Sequence, residues 1–167
     1  MGYVLEGGIL HMGELAQIDE LAQKAFIFAE IFAVSNKLQA LGDKLDRQIT
    51  IKQWLLLAAI SKSAVEAPSI SEISALTGTS RQNVKKMALL LEKQGFVNIR
   101  KDPHDARVLR VVQTTQCVEH FKARYNMELD FLAKLFSGLD GALLSGLYNG
   151  LIKLTDNINI MEAQNRK

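Results

Sequence analysis

The chain has 167 residues, of which 48% are hydrophobic and 23% charged, which suits one compact domain plus an oligomerisation element and argues against disorder. A formal net charge of +2 does not by itself indicate a nucleic-acid partner, so the placement of the cations decides. No apolar run approaches the roughly 20 residues of a membrane span, and the amino terminus lacks a basic-then-apolar secretory pattern, so no membrane association and a cytoplasmic location are expected.

Residues 1–12 contain glycines and no clear period, which predicts a flexible arm. Over 13–42 the pattern becomes helical, with Leu15, Ile18, Leu21, Ala22, Ala25, Ala29 and Phe32 at spacings of three and four. Phe26, Phe28 and Ile31 widen that apolar sector beyond what one small neighbour covers, so this helix is expected to be buried within a dimer. Gly42-Asp43 ends it. Three helix starts then follow the Ser/Thr-x-x-Glu/Gln capping box, at Thr50 with Gln53, Ser69 with Glu72, and Thr79 with Gln82. Trp54 lies in the first of these helices, with Leu55, Leu57, Ala58 and Ile60 as packing neighbours, and is expected in the core.

Residues 48–113 read as a winged helix-turn-helix, with Gly78 inside the turn and Gly95 where the apolar period breaks. At about 100° per residue, the second helix of the motif puts Val84, Met87, Ala88 and Leu91 on one side and Arg81, Gln82, Lys85 and Lys86 on the other. Arg and Gln carry forked groups that match base edges in the major groove, and lysines suit phosphate. From charge alone, a solvated cationic helix face is an equal reading. Phe96-Val97-Asn98-Ile99-Arg100-Lys101 then alternates apolar and polar, the turn Asp102-Pro103-His104-Asp105 follows, and Arg107 to Val112 returns as a strand. Arg100, Lys101, Arg107 and Arg110 are expected to project outward from this hairpin, where a narrow minor groove attracts arginine. An ordinary surface hairpin is the plain alternative.

Residues 114–163 are predicted to form two further helices. Thr114 and Thr115 offer an N-cap, and Val118, Phe121, Tyr125, Leu129, Leu132 and Phe136 carry the first helix to Gly138. The last helix starts near Asp140. Its Leu144, Leu147, Leu151, Leu154, Ile158 and Met161 step by three, four, three, four and three, the seam of a helix lying along another helix. Packing within one chain would satisfy it, but the first helix also needs a partner, which favours a homodimer.

Several segments together resemble the MarR family of bacterial transcription regulators: Ile49 to Leu57, Ser71-Glu72-Ile73, Ser80-Arg81-Gln82-Asn83-Val84, Leu91 to Val97, and Asp102-Pro103-His104-Asp105-Ala106-Arg107. The implied fold is mainly α with a small β-hairpin wing, a winged helix-turn-helix domain joined to a helical dimerisation region. The family's wing commonly reads Asp-x-x-Asp-Arg-Arg, whereas Ala106 stands here at the first arginine and Arg107 keeps the second. The resemblance makes Arg107 the candidate minor-groove contact, buttressed by Asp105. The full set of expected DNA contacts is Ser80, Arg81, Gln82, Asn83, Lys85, Lys86, His104 and Arg107.

The implied activity is sequence-specific binding of double-stranded DNA, by a homodimeric repressor on an inverted repeat. Its two reading helices would enter successive major grooves about 34–36 Å apart. The resemblance further implies release by a small lipophilic or phenolic effector. Phe28, Phe32, Trp54, Phe121 and Tyr125 are candidates to line its pocket, although aromatics at helical spacing are more often core.

Cys117 is the only cysteine, so the chain forms no internal disulfide. Its place in the first turn of a helix suggests a lowered thiol pKa and a redox-responsive regulator as an alternative. Cys117 and His120 have a chelating spacing that adds a metal-responsive regulator to the alternatives, although two ligands do not make a metal site. No cofactor or metal is expected, and no catalytic constellation emerges to suggest an enzyme. The contrasting alternative is a winged-helix protein-interaction module, which would expose apolar residues on the second helix, where only Leu89 is expected to do so.

Overall fold

The computed structural model describes residues 20–165; the expected arm at 1–12 and the first helix over 13–19 lie outside them. The described residues form α1 (Glu20–Gly42), α2 (Ile51–Lys62), α3 (Ile70–Thr77), α4 (Arg81–Lys93), β1 (Val97–Lys101), β2 (Leu109–Gln113), α5 (Thr115–Leu135) and α6 (Gly141–Asn165). They are mainly α with one antiparallel hairpin, and α3, α4, β1 and β2 make a winged helix-turn-helix. Contacts divide the chain into two compact units between Thr115 and Gln116.

The core of the first unit draws one face from each of α2, α3, α4 and the hairpin. Leu56, Leu57 and Ile60 come from α2, Ile73 from α3, Val84, Ala88 and Leu91 from α4, and Phe96, Val97 and Val111 from the hairpin and its approach. Truncating a leucine in such a core typically costs about 2–5 kcal/mol. Gln53 shares the buried face of α2 and donates from Nε2 to Gln94 Oε1 at 3.4 Å. Trp54 is not in this core. It stands one residue, about 100°, around the helix from Gln53 and is 37% exposed.

Two of the three expected capping boxes form. The Thr50 N–H donates to Gln53 Oε1 at 2.8 Å and the Gln53 N–H to Thr50 Oγ1 at 3.3 Å. The Ser69 N–H donates to Glu72 Oε2 at 2.6 Å and the Glu72 N–H to Ser69 Oγ at 3.2 Å. Each cap satisfies backbone donors that would otherwise face solvent and contributes about 1 kcal/mol. The third start falls one residue later than expected. Gly78 closes α3 at φ 64°, Thr79 is held in the turn by the Ser74 hydroxyl on its carbonyl at 2.6 Å, and Ser80 becomes the N-cap, accepting from the Asn83 N–H at 3.4 Å.

At the other end of α4, Gly95 adopts φ 83°, its N–H donates to Glu92 O at 2.9 Å, and the Phe96 N–H reaches Leu91 O at 2.9 Å. This paired left-handed closure redirects the chain and delivers Phe96 to the core. The Ile99 N–H then donates to Glu92 Oε1 at 2.7 Å, which fastens β1 to α4.

The hairpin register runs from Val97 opposite Gln113 to Lys101 opposite Leu109. The return strand therefore begins at Leu109 rather than Arg107, and the loop spans 102–108. Asp102 widens it, because Oδ1 accepts from both the His104 and Asp105 N–H groups at 2.8 and 3.1 Å and so bends the chain before pairing can start. β2 also meets the segment before α3, through a bridge between Ser69 and Arg110 and the Val111 N–H on Pro68 O at 3.0 Å.

Elsewhere, the helices leave apolar surface open. Gly42 is the buried residue of α1, while Leu21, Phe26, Phe28, Ile31 and Phe32 are exposed. In the second unit, Asp140 caps α6 by accepting the Leu143 N–H at 2.8 Å, and no residue of α6 is buried.

Candidate nucleic-acid interface

The packing of α4 decides which of its side chains face outward. With Val84, Ala88 and Leu91 in the core, helical periodicity turns Arg81, Gln82, Lys85 and Lys86 to solvent, and Ser80 and Asn83 flank them at the exposed amino end. The positive end of the helix dipole therefore coincides with Arg81, which reinforces attraction for an anion. Leu89 and Leu90 are exposed on the same helix and line a shallow groove with Gln82, Lys85 and Lys86. Leu90 corrects the expectation that Leu89 alone is open.

His104 and Arg107 are both exposed on the wing loop. Arg107 donates from Nε to Asp105 Oδ1 and from Nη2 to Asp105 Oδ2, each at 3.0 Å, while its backbone N–H also reaches Oδ1 at 3.0 Å. The guanidinium lowers the Asp105 pKa and is itself held more firmly protonated. Asp105 thus holds Arg107 in a set pose, as the resemblance implies.

Arg110 departs from expectation. It does not project outward with Arg100 and Lys101 but turns back, donating from Nε to Asp102 Oδ2 and from Nη1 to Ala67 O at 2.9 Å, with Glu72 Oε2 at 3.7 Å. This is a charge-assisted site at the base of the loop, where Asp102 is buried. The Arg110 hydrogen bond and the His104 and Asp105 amides bring the Asp102 pKa down to about 2. Sequence reading missed the Arg110 contact with the Ala67 carbonyl because the two lie 43 positions apart, although Asp102 is only eight residues from Arg110. The only local hint was an acidic residue at each end of the arrangement.

The aromatic candidates divide between the units. Phe28 and Phe32 on α1 make an edge-to-face contact at 5.2 Å, and Trp54 stands on α2. Phe121 on α5 is half-buried against His120 at 5.6 Å, and Tyr125 is exposed. Cys117 is fully buried, and desolvation pushes its thiol up to about 11, opposite to the lowering expected from the helix dipole. Among the described residues, no three His, Cys, Asp or Glu side chains group as metal ligands, and no helix is long and apolar enough to cross a membrane.

A helix-turn-helix followed by a basic hairpin defines a winged helix-turn-helix protein. Residues 47–108 match the family model described as MarR family. The chain is 28% identical over 131 residues to the transcriptional repressor MprA of Escherichia coli, covering 77% of this chain and 74% of the relative. In fold it is similar to Staphylococcus aureus MepR in a DNA complex, with a TM-score of 0.69 and 17% identity over 78% of this chain and 97% of that one. It is also similar to Bordetella bronchiseptica BpsR, whose DNA binding is regulated by 6-hydroxynicotinic acid, with a TM-score of 0.62 and 17% identity over 75% and 98% of the two chains.

Proposed function

We propose that this regulator is a homodimeric, sequence-specific repressor that binds an inverted repeat in double-stranded DNA and is released by a small molecule. The observation that carries the reading is that Ser80, Arg81, Gln82, Asn83, Lys85, Lys86, His104 and Arg107 all stand exposed on α4 and the wing of one unit, with Arg107 held by Asp105. In that reading Arg81 and Gln82 read base edges, Lys85 and Lys86 hold phosphate, and Arg107 enters the minor groove. Residues 48–113 form the DNA-binding domain, and 13–42 and 114–163 form the dimerisation region.

Dimerisation is supported by the exposed seam of α6 and, separately, by the open phenylalanines of α1, each of which leaves apolar side chains facing solvent in a lone protomer. Repression follows the relative MprA. Release follows BpsR, and the aromatic candidates for a phenolic or other lipophilic compound are Phe28, Phe32 and Trp54 on the first unit and, taken separately, Phe121 and Tyr125 on the second. Such a ligand would act by favouring a spacing of the two α4 helices that no longer matches successive major grooves.

Selection from a random duplex pool at physiological salt tests this. Enrichment of an inverted repeat with half-sites about one helical turn apart is the expected outcome. A folded dimer that enriches nothing, with or without candidate effectors, would overturn it. That result would favour a protein-interaction module using the exposed Leu89 and Leu90.

A further inference from the structure

Arg110 lies directly opposite Arg100 in the hairpin register, which would set two cations side by side on one face. Arg100 stays exposed while Arg110 turns into the base of the wing. There its guanidinium meets Asp102 and the carbonyl of Ala67, with the capping carboxylate of Glu72 at 3.7 Å. Asp102 is bound on both oxygens, since Oδ1 accepts the N–H groups of His104 and Asp105. Asp105 in turn holds Arg107 by its backbone and by both ends of its guanidinium edge. An unbroken series of polar contacts thus runs from the start of α3 to the tip of the wing.

We propose that Arg110 and Asp102 are positioning residues, which clamp the root of the 102–108 loop to the segment before α3 and so set the pose in which Asp105 presents Arg107. The proposal rests on the DNA-binding reading for its consequence, but the setting of the loop is a property of the free protein. Arg110 itself does not touch DNA. Its Nε is committed to Asp102 and its Nη1 to the Ala67 carbonyl, and withdrawing them would leave the Asp102 carboxylate without its ion-pair partner.

The test uses the full chain in two measurements. In the free protein, Arg110→Ala and Asp102→Ala should speed exchange of the Arg107 backbone and Nε hydrogens by about tenfold, while amides of the buried Ala88 and Leu91 in α4 stay as protected as in the wild type. Arg110→Lys, which restores the charge but cannot reach Asp102 and Ala67 O together, should fall between. Unchanged Arg107 exchange in all three variants would overturn the proposal, even if the wild type binds an operator.

On a selected operator, Arg110→Ala and Asp102→Ala should each weaken binding by about tenfold, and by less than about twofold when Arg107→Ala is already present. Full loss in the Arg107→Ala background would mean that Arg110 contacts DNA directly, and tighter binding by Asp102→Ala would mean the same. Either result overturns the proposal. If the exchange results hold but the wild type prefers no duplex, the clamp stands and the DNA-binding reading fails.

Discussion

Asp105 grips Arg107 at three hydrogen-bond positions, yet the Arg107 side chain remains 91% exposed. An exposed arginine ordinarily samples many rotamers, and ordering it on binding costs free energy. Here that cost is met before the partner arrives. Asp105→Ala should therefore weaken operator binding by about 1 kcal/mol, although it removes a negative charge beside the phosphates. Fluorescence titration at two salt concentrations measures it, and tighter binding by Asp105→Ala would contradict the role.

Base-reading and phosphate-holding side chains on α4 should separate in a matched experiment. Arg81→Ala and Gln82→Ala are expected to lower discrimination between operator and scrambled duplex by about 1–3 kcal/mol. Lys85→Ala should weaken both duplexes alike and reduce the salt dependence by about one counterion. If all three variants behave alike on the two duplexes, the assignment of roles is wrong.

The Asp102 carboxyl predicts an acid-sensitive step. Its folded pKa of about 2 lies below the ordinary 3.8, so its pairing with Arg110 stabilises the fold fully above the ordinary value and less as pH falls toward 2. The Glu72 pKa is lowered in the same direction, mainly by the Ser69 N–H, so the α3 cap weakens over the same fall. Urea midpoints measured from pH 6 to pH 2 should fall across this window, and the fall should be shallower for Asp102→Asn. An equally steep fall in the variant would assign it to other carboxyls.

Cys117 should be inert while the protein is folded. With the thiol pushed up to about 11, only about one molecule in ten thousand carries a thiolate at pH 7. Alkylation followed by mass spectrometry should label Cys117 only as urea unfolds the chain. Brief peroxide treatment should leave operator affinity unchanged. Rapid labelling of the native protein would revive a redox response.

A charge placed in the α6 seam should interrupt assembly. Leu151 is exposed in the single chain and lies midway along the seam, so on the dimeric reading Leu151→Asp puts an unpaired carboxylate into an apolar interface. Sedimentation should show dissociation at concentrations at least about a hundredfold higher than for the wild type. Equal masses for both proteins at every concentration would remove α6 from the interface.

Much of the first unit was legible because its signals are local. Glycine at 78 and 95, the caps at Thr50 and Ser69, and the period of Val84, Ala88 and Leu91 each act within a few residues. The errors arose where distant partners decide. Arg110 reads as one more wing cation until Ala67 and Asp102 are brought beside it. Trp54 reads as core because it is large and apolar, yet the packing of α2 selects the face of Gln53, whose amide finds Gln94. Cys117 likewise reads as a reactive thiol from its place in the helix, yet its burial pushes the thiol pKa up.

The separation between a well-buried reading unit and an α6 without a buried side chain bears on how the regulator would respond to its own abundance. The core formed by Leu56, Ile73, Val84, Leu91 and Phe96 is buried within one copy, so on the dimeric reading scarcity would remove valency before it removed that core. A cell with few copies would hold competent half-readers that grip single half-sites weakly. Occupancy of the whole operator would then rise more steeply than in proportion to the amount of protein, and dilution at cell division would loosen control without any ligand.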